Sequence, residues 1–229
     1  GRRSLQAQVE IEKSRFAGLA LEGRADVAAD DAHLGRIEAN VAMGDSRASA
    51  SGAFGKPGDA LAVKFSSPDL APIGKAFGIK AAGRVDGDAL VEGTFAAPHG
   101  RVALKATNLS LPGEYRLASL DAKLSLGAAE DSPLTGDVTL AGLREDKAAD
   151  KEALVTKAVL ALRGTRASHD LKLEGELPEN SQVRVLVSGG LFGATSASPE
   201  WRGRLEVLES TGRYPVVLAA PTALSVAPQ

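Results

Sequence analysis

An all-β fold, a long antiparallel meander with at most one or two short helices, is what this sequence predicts, and three observations predict it. Apolar and polar residues alternate with a period of two through most of the chain, which places every second side chain on the same face of a strand. Short turns rich in Gly, Asp, Pro and Asn join the alternating runs, among them Lys56-Pro57-Gly58-Asp59, Val85-Asp86-Gly87-Asp88 and Pro98-His99-Gly100. Links this short connect antiparallel neighbours, because a parallel crossover needs a dozen residues or more. The runs also fail to return at a fixed interval of roughly 20 to 50 residues, which argues against a solenoid.

Taken in order, Leu19, Leu21, Gly23, Ala25 and Val27 alternate with Glu22, Arg24 and Asp26. Leu34, Ile37 and Val41 have helical spacing, but Gly35 and Gly44 and the alternation Ile37, Ala39, Val41, Met43 favour a strand. Ser67 as N-cap, Pro68 at the first helical position, and Leu70, Ile73 and Phe77 at spacings of three and four predict a short helix over Ser67 to Phe77. Leu134, Gly136, Val138 and Leu140 alternate with Thr135, Asp137 and Thr139, and the charged stretch Arg144 to Glu152, without apolar periodicity, reads as a loop. The clearest strand is His169, Leu171, Leu173, Gly175, Leu177 set against Asp170, Lys172, Glu174 and Glu176; Trp201, Gly203, Leu205 and Val207 repeat the pattern. Roughly fourteen strands result.

The 229 residues suffice for a substantial apolar surface, and residues 1–229 are expected to form a single continuous β-sheet segment of a longer repeat-like protein. Aromatics make up only 4% of the chain, so that surface is built from Leu, Val and Ala. The net charge of -2, with acids and bases interspersed, predicts neither nucleic acid nor an anionic membrane surface as a partner. Absence of cysteine excludes disulfides and thiolate metal sites. No run approaches the ~18 apolar residues of a spanning helix, and the opening Gly1-Arg2-Arg3 lacks an initiator Met, so an excised segment is expected.

Three groupings invite a chemical reading. Ser168, His169 and Asp170 are contiguous, yet neighbours on a strand point to opposite faces, whereas a catalytic triad must converge in space; His169 is expected as a neutral, hydrogen-bonded side chain on the apolar face or at a strand end. Asp30, Asp31 and His33 lie in one turn without a fourth ligand, and a solvated turn is the reading adopted. Ser188 to Thr195 is glycine-rich but lacks the lysine of a phosphate loop, and reads as a hairpin connection. No catalytic residue, metal site or cofactor is therefore expected. The apolar face itself remains. Alternation leaves open whether a second sheet seals it or a groove exposes it, and with so few aromatics no membrane-barrel girdles can be built.

The wording Gly83-Arg84-Val85, Val91-Glu92-Gly93-Thr94-Phe95, Pro98-His99-Gly100, then Val102 to Leu111, resembles repeats of TamB proteins of the AsmA-like superfamily, as do Leu160 to His169 and Trp201 to Leu208, continued by Pro221 and Leu224. That resemblance implies a sheet curled lengthwise into an open apolar groove, the β-taco. It further implies a periplasmic bridge whose parent is anchored in the inner membrane of a Gram-negative bacterium and works with an Omp85-type outer-membrane barrel, through regions outside this chain. Such proteins are linked to phospholipid transport and, in another reading, to outer-membrane protein assembly by the translocation and assembly module. The function expected is non-enzymatic guiding of phospholipid acyl chains. Its groove lining is Leu21, Val41, Phe54, Val63, Val85, Phe95, Leu104, Leu124, Val138, Leu162, Leu171, Val185 and Leu205. The alternative is a scaffold that offers its face or strand edges to outer-membrane β-strands. With a spacing of about 4.8 Å, fourteen strands would supply roughly 65 Å of track.

Overall fold

A computed structural model describes residues 4–31, 33–111, 113–146, 153–192, 200–213 and 215–226. The chain divides into two units, Gly1–Glu114 and Tyr115–Gln229. The first contains β1 (Ser4–Phe16), β2 (Leu19–Asp30), β3 (His33–Met43), β4 (Ser46–Phe54), β5 (Ala60–Ser67), helix α1 (Ala71–Ala76), β6 (Ala82–Gly93) and β7 (Pro98–Leu111). The second contains β8 (Tyr115–Leu126), β9 (Leu134–Glu145), β10 (Val155–Gly164), β11 (His169–Glu176), β12 (Gln182–Phe192), β13 (Glu200–Thr211), β14 (Val216–Val217) and β15 (Thr222–Val226). Within each unit consecutive strands pair antiparallel, as the short turns require. In the second, β14 and β15 both pair with β13, β14 at Glu209 and Ser210 and β15 at Trp201 to Leu205.

The turns follow from residue type. Phe16 pairs with Leu19, leaving Ala17 and Gly18 at φ 48° and 86°, the left-handed pair whose twist matches a two-residue hairpin. Gly100 has a different reason: at φ 142° a Cβ there would lie 1.9 Å from the Leu90 carbonyl oxygen, so no larger residue fits without breaking the β6–β7 ladder.

Several expectations need correction. Val85 to Asp88, expected as a turn, lie inside β6, where the ladder to Ser67 through Lys64 of β5 holds them extended, and Pro98 to Gly100, expected as another, open β7 in register with Val91 to Gly93. The helix begins at Ala71 with Pro72 in its first turn, and Ser67 is not its cap. Ser67 instead ends β5 fully buried, its hydroxyl 2.7 Å from that of Ser46 and donating to the Asp69 carbonyl at 3.0 Å; a hydroxyl held by the sheet is not free to cap. Ser188 to Phe192, expected within a hairpin connection, belong to β12, where the ladder to β13 holds them in register as far as Phe192 opposite Glu200; the rest of that stretch, 193–195, lies outside the described residues. Of Arg144 to Glu152, Arg144 and Glu145 end β9 and Asp146 follows it. Positions 147–152 lie outside the described residues.

There is very little interior. Among the described residues only Ala106, Leu117 and Ala158 are buried hydrophobics. The accessible surface is 14648 Å². A compact chain of this mass would expose about 9,800 Å², and two separate compact globules of half the mass about 11,800 Å². That excess is what a single-layer sheet gives: among the described residues each unit has one sheet, with only the short helix α1 lying against it, at β6.

Candidate functional site

Tracing the register across the first unit assembles an apolar band from residues that the sequence separates. One row, perpendicular to the strands, reads Ile11, Gly23, Val41, Ala48, Phe65, Gly87, Leu104. On one side of it lies Val9, Ala25, Ala39, Ala50, Val63, Ala89, Val102, and beyond that Ala7, Val27, Ile37, Gly52, Leu61, Val91, Gly100. The row on the other side contains Leu21, Met43, Ser46, Ser67, Val85 and Ala106, its two serines bonded to each other. No charged residue enters these rows. Register holds despite bulges at Ile11/Ser14 and Leu34/Ile37, because a slip of one position would turn a whole strand's apolar set to the other face.

The second unit repeats the arrangement. Leu124, Gly136, Leu162, Leu171, Val187 and Leu205 form one row, and Ala122, Val138, Leu160, Leu173, Val185 and Leu208 the next. A third row holds Leu120, Leu140, Ala158, Gly175, Val183 and Ser210. The fourth reads Leu126, Leu134, Gly164, His169, Gly189, Gly203 and Leu224.

Of the expected lining residues, Leu21, Val41, Val63, Val85 and Leu104 share the apolar face of the first unit. Leu124, Val138, Leu162, Leu171, Val185 and Leu205 share that of the second. Phe54, two positions beyond Gly52 on β4 and opposite Leu34, forms an edge-to-face ring pair with Phe95, centroids 4.9 Å apart, at the end of the first unit where β4 stops and β6 turns into β7. The bands are open. Val63 sits in the middle of its row with 36% of its surface exposed, and Leu124 has 46%, values that a covering layer would bring close to zero.

Opposite the bands, charged side chains alternate along and across the strands. Arg84 bonds Asp86 at 2.7 Å, and Asp86 also accepts from Ser66 at 2.6 Å. These two donors, Arg84 first, hold the Asp86 carboxyl below its ordinary value, and the bond to Asp86 in turn raises that of the guanidinium. Lys172 acts likewise on Glu174, and Arg202 on Glu200. A hollow of about 970 Å³ spans β2 to β7. By register, most of its lining, including Glu22, Arg24, Arg47, Lys64, Asp88 and Lys105, belongs to this polar face, and of the expected lining only Val41 touches it. Long side chains standing around Ala42, Ser49 and Ala103 make that hollow, a feature that alternation alone does not reveal.

His169 is the one ionisable side chain in these rows of the second unit. The indole Nε1–H of Trp201 donates to its Nε2 at 2.9 Å, so the imidazole proton is assigned to Nδ1, which donates to the Thr165 carbonyl at 2.9 Å. Asp170, next along the strand, faces the other way, and the three contiguous residues do not converge. Trp201 lies across two glycines: a Cβ at Gly189 or Gly203 would come within 2.4 Å of the indole. The Trp201-Arg202-Gly203 spacing was the signal available for this seat. At the remaining candidate, His33 Nε2 lies 3.0 Å from an Asp59 carboxylate oxygen, and Asp30 pairs with His33 in the ladder.

Among the described residues, no helix is long and apolar enough to cross a membrane. Residues 12–228 match the family model described as TamB, N-terminal domain. No curated protein and no solved structure matches the chain.

Proposed function

This chain belongs to the TamB family, and we propose that its apolar faces bind phospholipid acyl chains and guide them through the periplasm as part of a bridge between the inner and outer membranes. The observation that carries the reading is the pair of uncharged, uncovered bands running across the strands. Each methylene removed from water is worth about 0.8 kcal/mol, so a sixteen-carbon chain resists leaving an apolar surface by roughly 10 kcal/mol or more. A band of Leu, Val, Ala and Gly without charges lets that burial persist while the chain slides. In this reading no residue is catalytic and no cofactor takes part. Phospholipid is the ligand, and an Omp85-type barrel is a partner of the parent protein through other regions.

One observation favours a second reading, a scaffold for outer-membrane β-strands: β1 pairs only with β2 among the described residues, which leaves its other backbone edge able to accept a strand. The test that separates them places a carboxylate in the band by Val63→Asp and a photo-crosslinking side chain at Leu61 and Val85. The lipid reading expects crosslinks to phospholipid to fall with the fold retained. Crosslinks unaffected by the charge, or going to polypeptide instead of lipid, would overturn it.

A further inference from the structure

We propose that the turn following α1, Phe77-Gly78-Ile79, is a docking site for the surface of an anionic lipid bilayer. Phe77 and Ile79 are 57% and 56% exposed, and Phe77 rests against Phe16, itself 43% exposed, with ring centroids 5.5 Å apart. Gly78 at φ 68° makes the bend that presents its two neighbours. The three side chains form one apolar tip held by its own stem: Gly74 donates to the Leu70 carbonyl, Ile79 donates to the Gly74 carbonyl at 2.8 Å, and a Cβ at Gly74 would meet that Ile79 carbonyl oxygen at 2.7 Å. A soluble surface gains nothing from such a tip.

Charge argues for the occupant. The whole-chain balance predicts no anionic membrane partner, but locally Lys75 and Lys80 bracket the tip with no acid between them in the sequence, and Arg15 precedes Phe16, whose ring meets that of Phe77. Of the acids nearby, Asp45 follows Gly44 in the turn beside Leu19, and Asp69 accepts the backbone N–H groups of Ala71 and Gly83. Glu114 lies 3.7 Å from the Lys80 ammonium, whose side chain stays 88% exposed. Apolar side chains that enter the acyl boundary, flanked by lysines at phosphate level, are the recognised chemistry of interfacial anchors. The tip offers on the order of 300 Å² of apolar surface, against about 800 Å² per partner in a standard protein interface, so a second copy of the chain is poorly served by it.

Position gives the docking a consequence. Phe16 pairs with Leu19 and thereby shares the face of Leu21, so the tip closes over one end of the apolar band. A bilayer held there would stand at the mouth of the proposed acyl track. The docking itself does not depend on that track carrying lipid.

Because the chain has no cysteine, Ile79→Cys can carry a single environment-sensitive fluorophore, with Phe95→Cys at the opposite end of the unit as reference. Vesicles of phosphatidylcholine with roughly one-third phosphatidylglycerol are expected to shift the Ile79 label to the blue and leave the Phe95 label unchanged, and phosphatidylcholine alone to act weakly. Co-sedimentation of unlabelled protein with the mixed vesicles should fall about tenfold in Phe77→Ser/Ile79→Ser and also in Lys75→Glu/Lys80→Glu, with far-UV circular dichroism unchanged. No vesicle-dependent shift, an equal shift at Phe95, or a shift that follows protein concentration without vesicles would overturn the proposal, the last by naming a second copy as the occupant. Val63→Asp separates the two readings, since it blocks the band and leaves vesicle binding intact.

Discussion

Replacing Val63 by Asp asks whether the apolar band is open, and the structure sets the size of the answer. Val63 lies centrally in its row, opposite Ala50 and Ala89, with 36% of its surface exposed. Burial of the remaining two-thirds contributes roughly 1–2 kcal/mol, and the poorer strand preference of Asp adds up to about 1 kcal/mol. Water reaches the site, so the carboxylate avoids the several kcal/mol that a dry interior would impose. The expected loss, about 2–3 kcal/mol, lowers the melting temperature by roughly 10–20 °C and keeps a cooperative transition. Ala106→Asp supplies the contrast within the same unit: at 3% exposure the new charge has no route to solvent, and the unit should fail to fold. Thermal melts followed by circular dichroism measure both. Equal collapse of the two variants would refute the reasoning, because it would mean that Val63 is as sealed as Ala106.

Two further outcomes follow from particular contacts. Gly203→Ala drives a methyl to within 2.4 Å of the Trp201 indole and 2.2 Å of the Ser188 carbonyl oxygen, and should dislodge the chain's single tryptophan. Near-UV circular dichroism should then lose its indole signal, whereas Trp201→Phe, which forfeits the hydrogen bond to His169 and the part of the indole lying over the two glycines, should cost about 1–3 kcal/mol with the fold retained. Asp86 has a depressed folded-state value, so its bonds to Arg84 and Ser66 stabilise the fold above about pH 4, and that contribution is lost as pH falls through the folded value. Asp86→Asn should accordingly melt below the parent at neutral pH and converge with it as the pH is lowered through the folded value.

Period-two alternation made the faces legible: Leu21, Val41, Val63, Val85 and Leu104 share one face in the first unit, and Leu124, Val138, Leu162, Leu171, Val185 and Leu205 share one in the second. Residues at strand ends escaped it. Phe54 and Phe95 continue the apolar wording and pack on each other at the end of the unit, a pairing across the β6–β7 turn that alternation holds no information on. Ser67 looked like a cap because its partner, Ser46, lies 21 positions away on another strand. Above all, alternation says that a face is apolar without saying what lies on it. That required the exposure of residues such as Val63 and Leu124, which depends on the whole fold. The Trp201 seat was hidden for a similar reason, since Gly189 and His169 reach it only through the β11–β12–β13 ladder.

The central claim, an open apolar face that acyl chains occupy, is tested most directly by thiol accessibility. Single cysteines at Val41, Val63, Leu124 and Val138, introduced into a chain that has none, should react with a small polar thiol reagent at rates within about tenfold of outward controls at Lys64 and Asp137, since side chains on an uncovered face meet water. Added phospholipid should slow the four inward thiols selectively. Inward cysteines that stay unreactive until the protein unfolds, or that react at the same rate with and without lipid, would contradict the account.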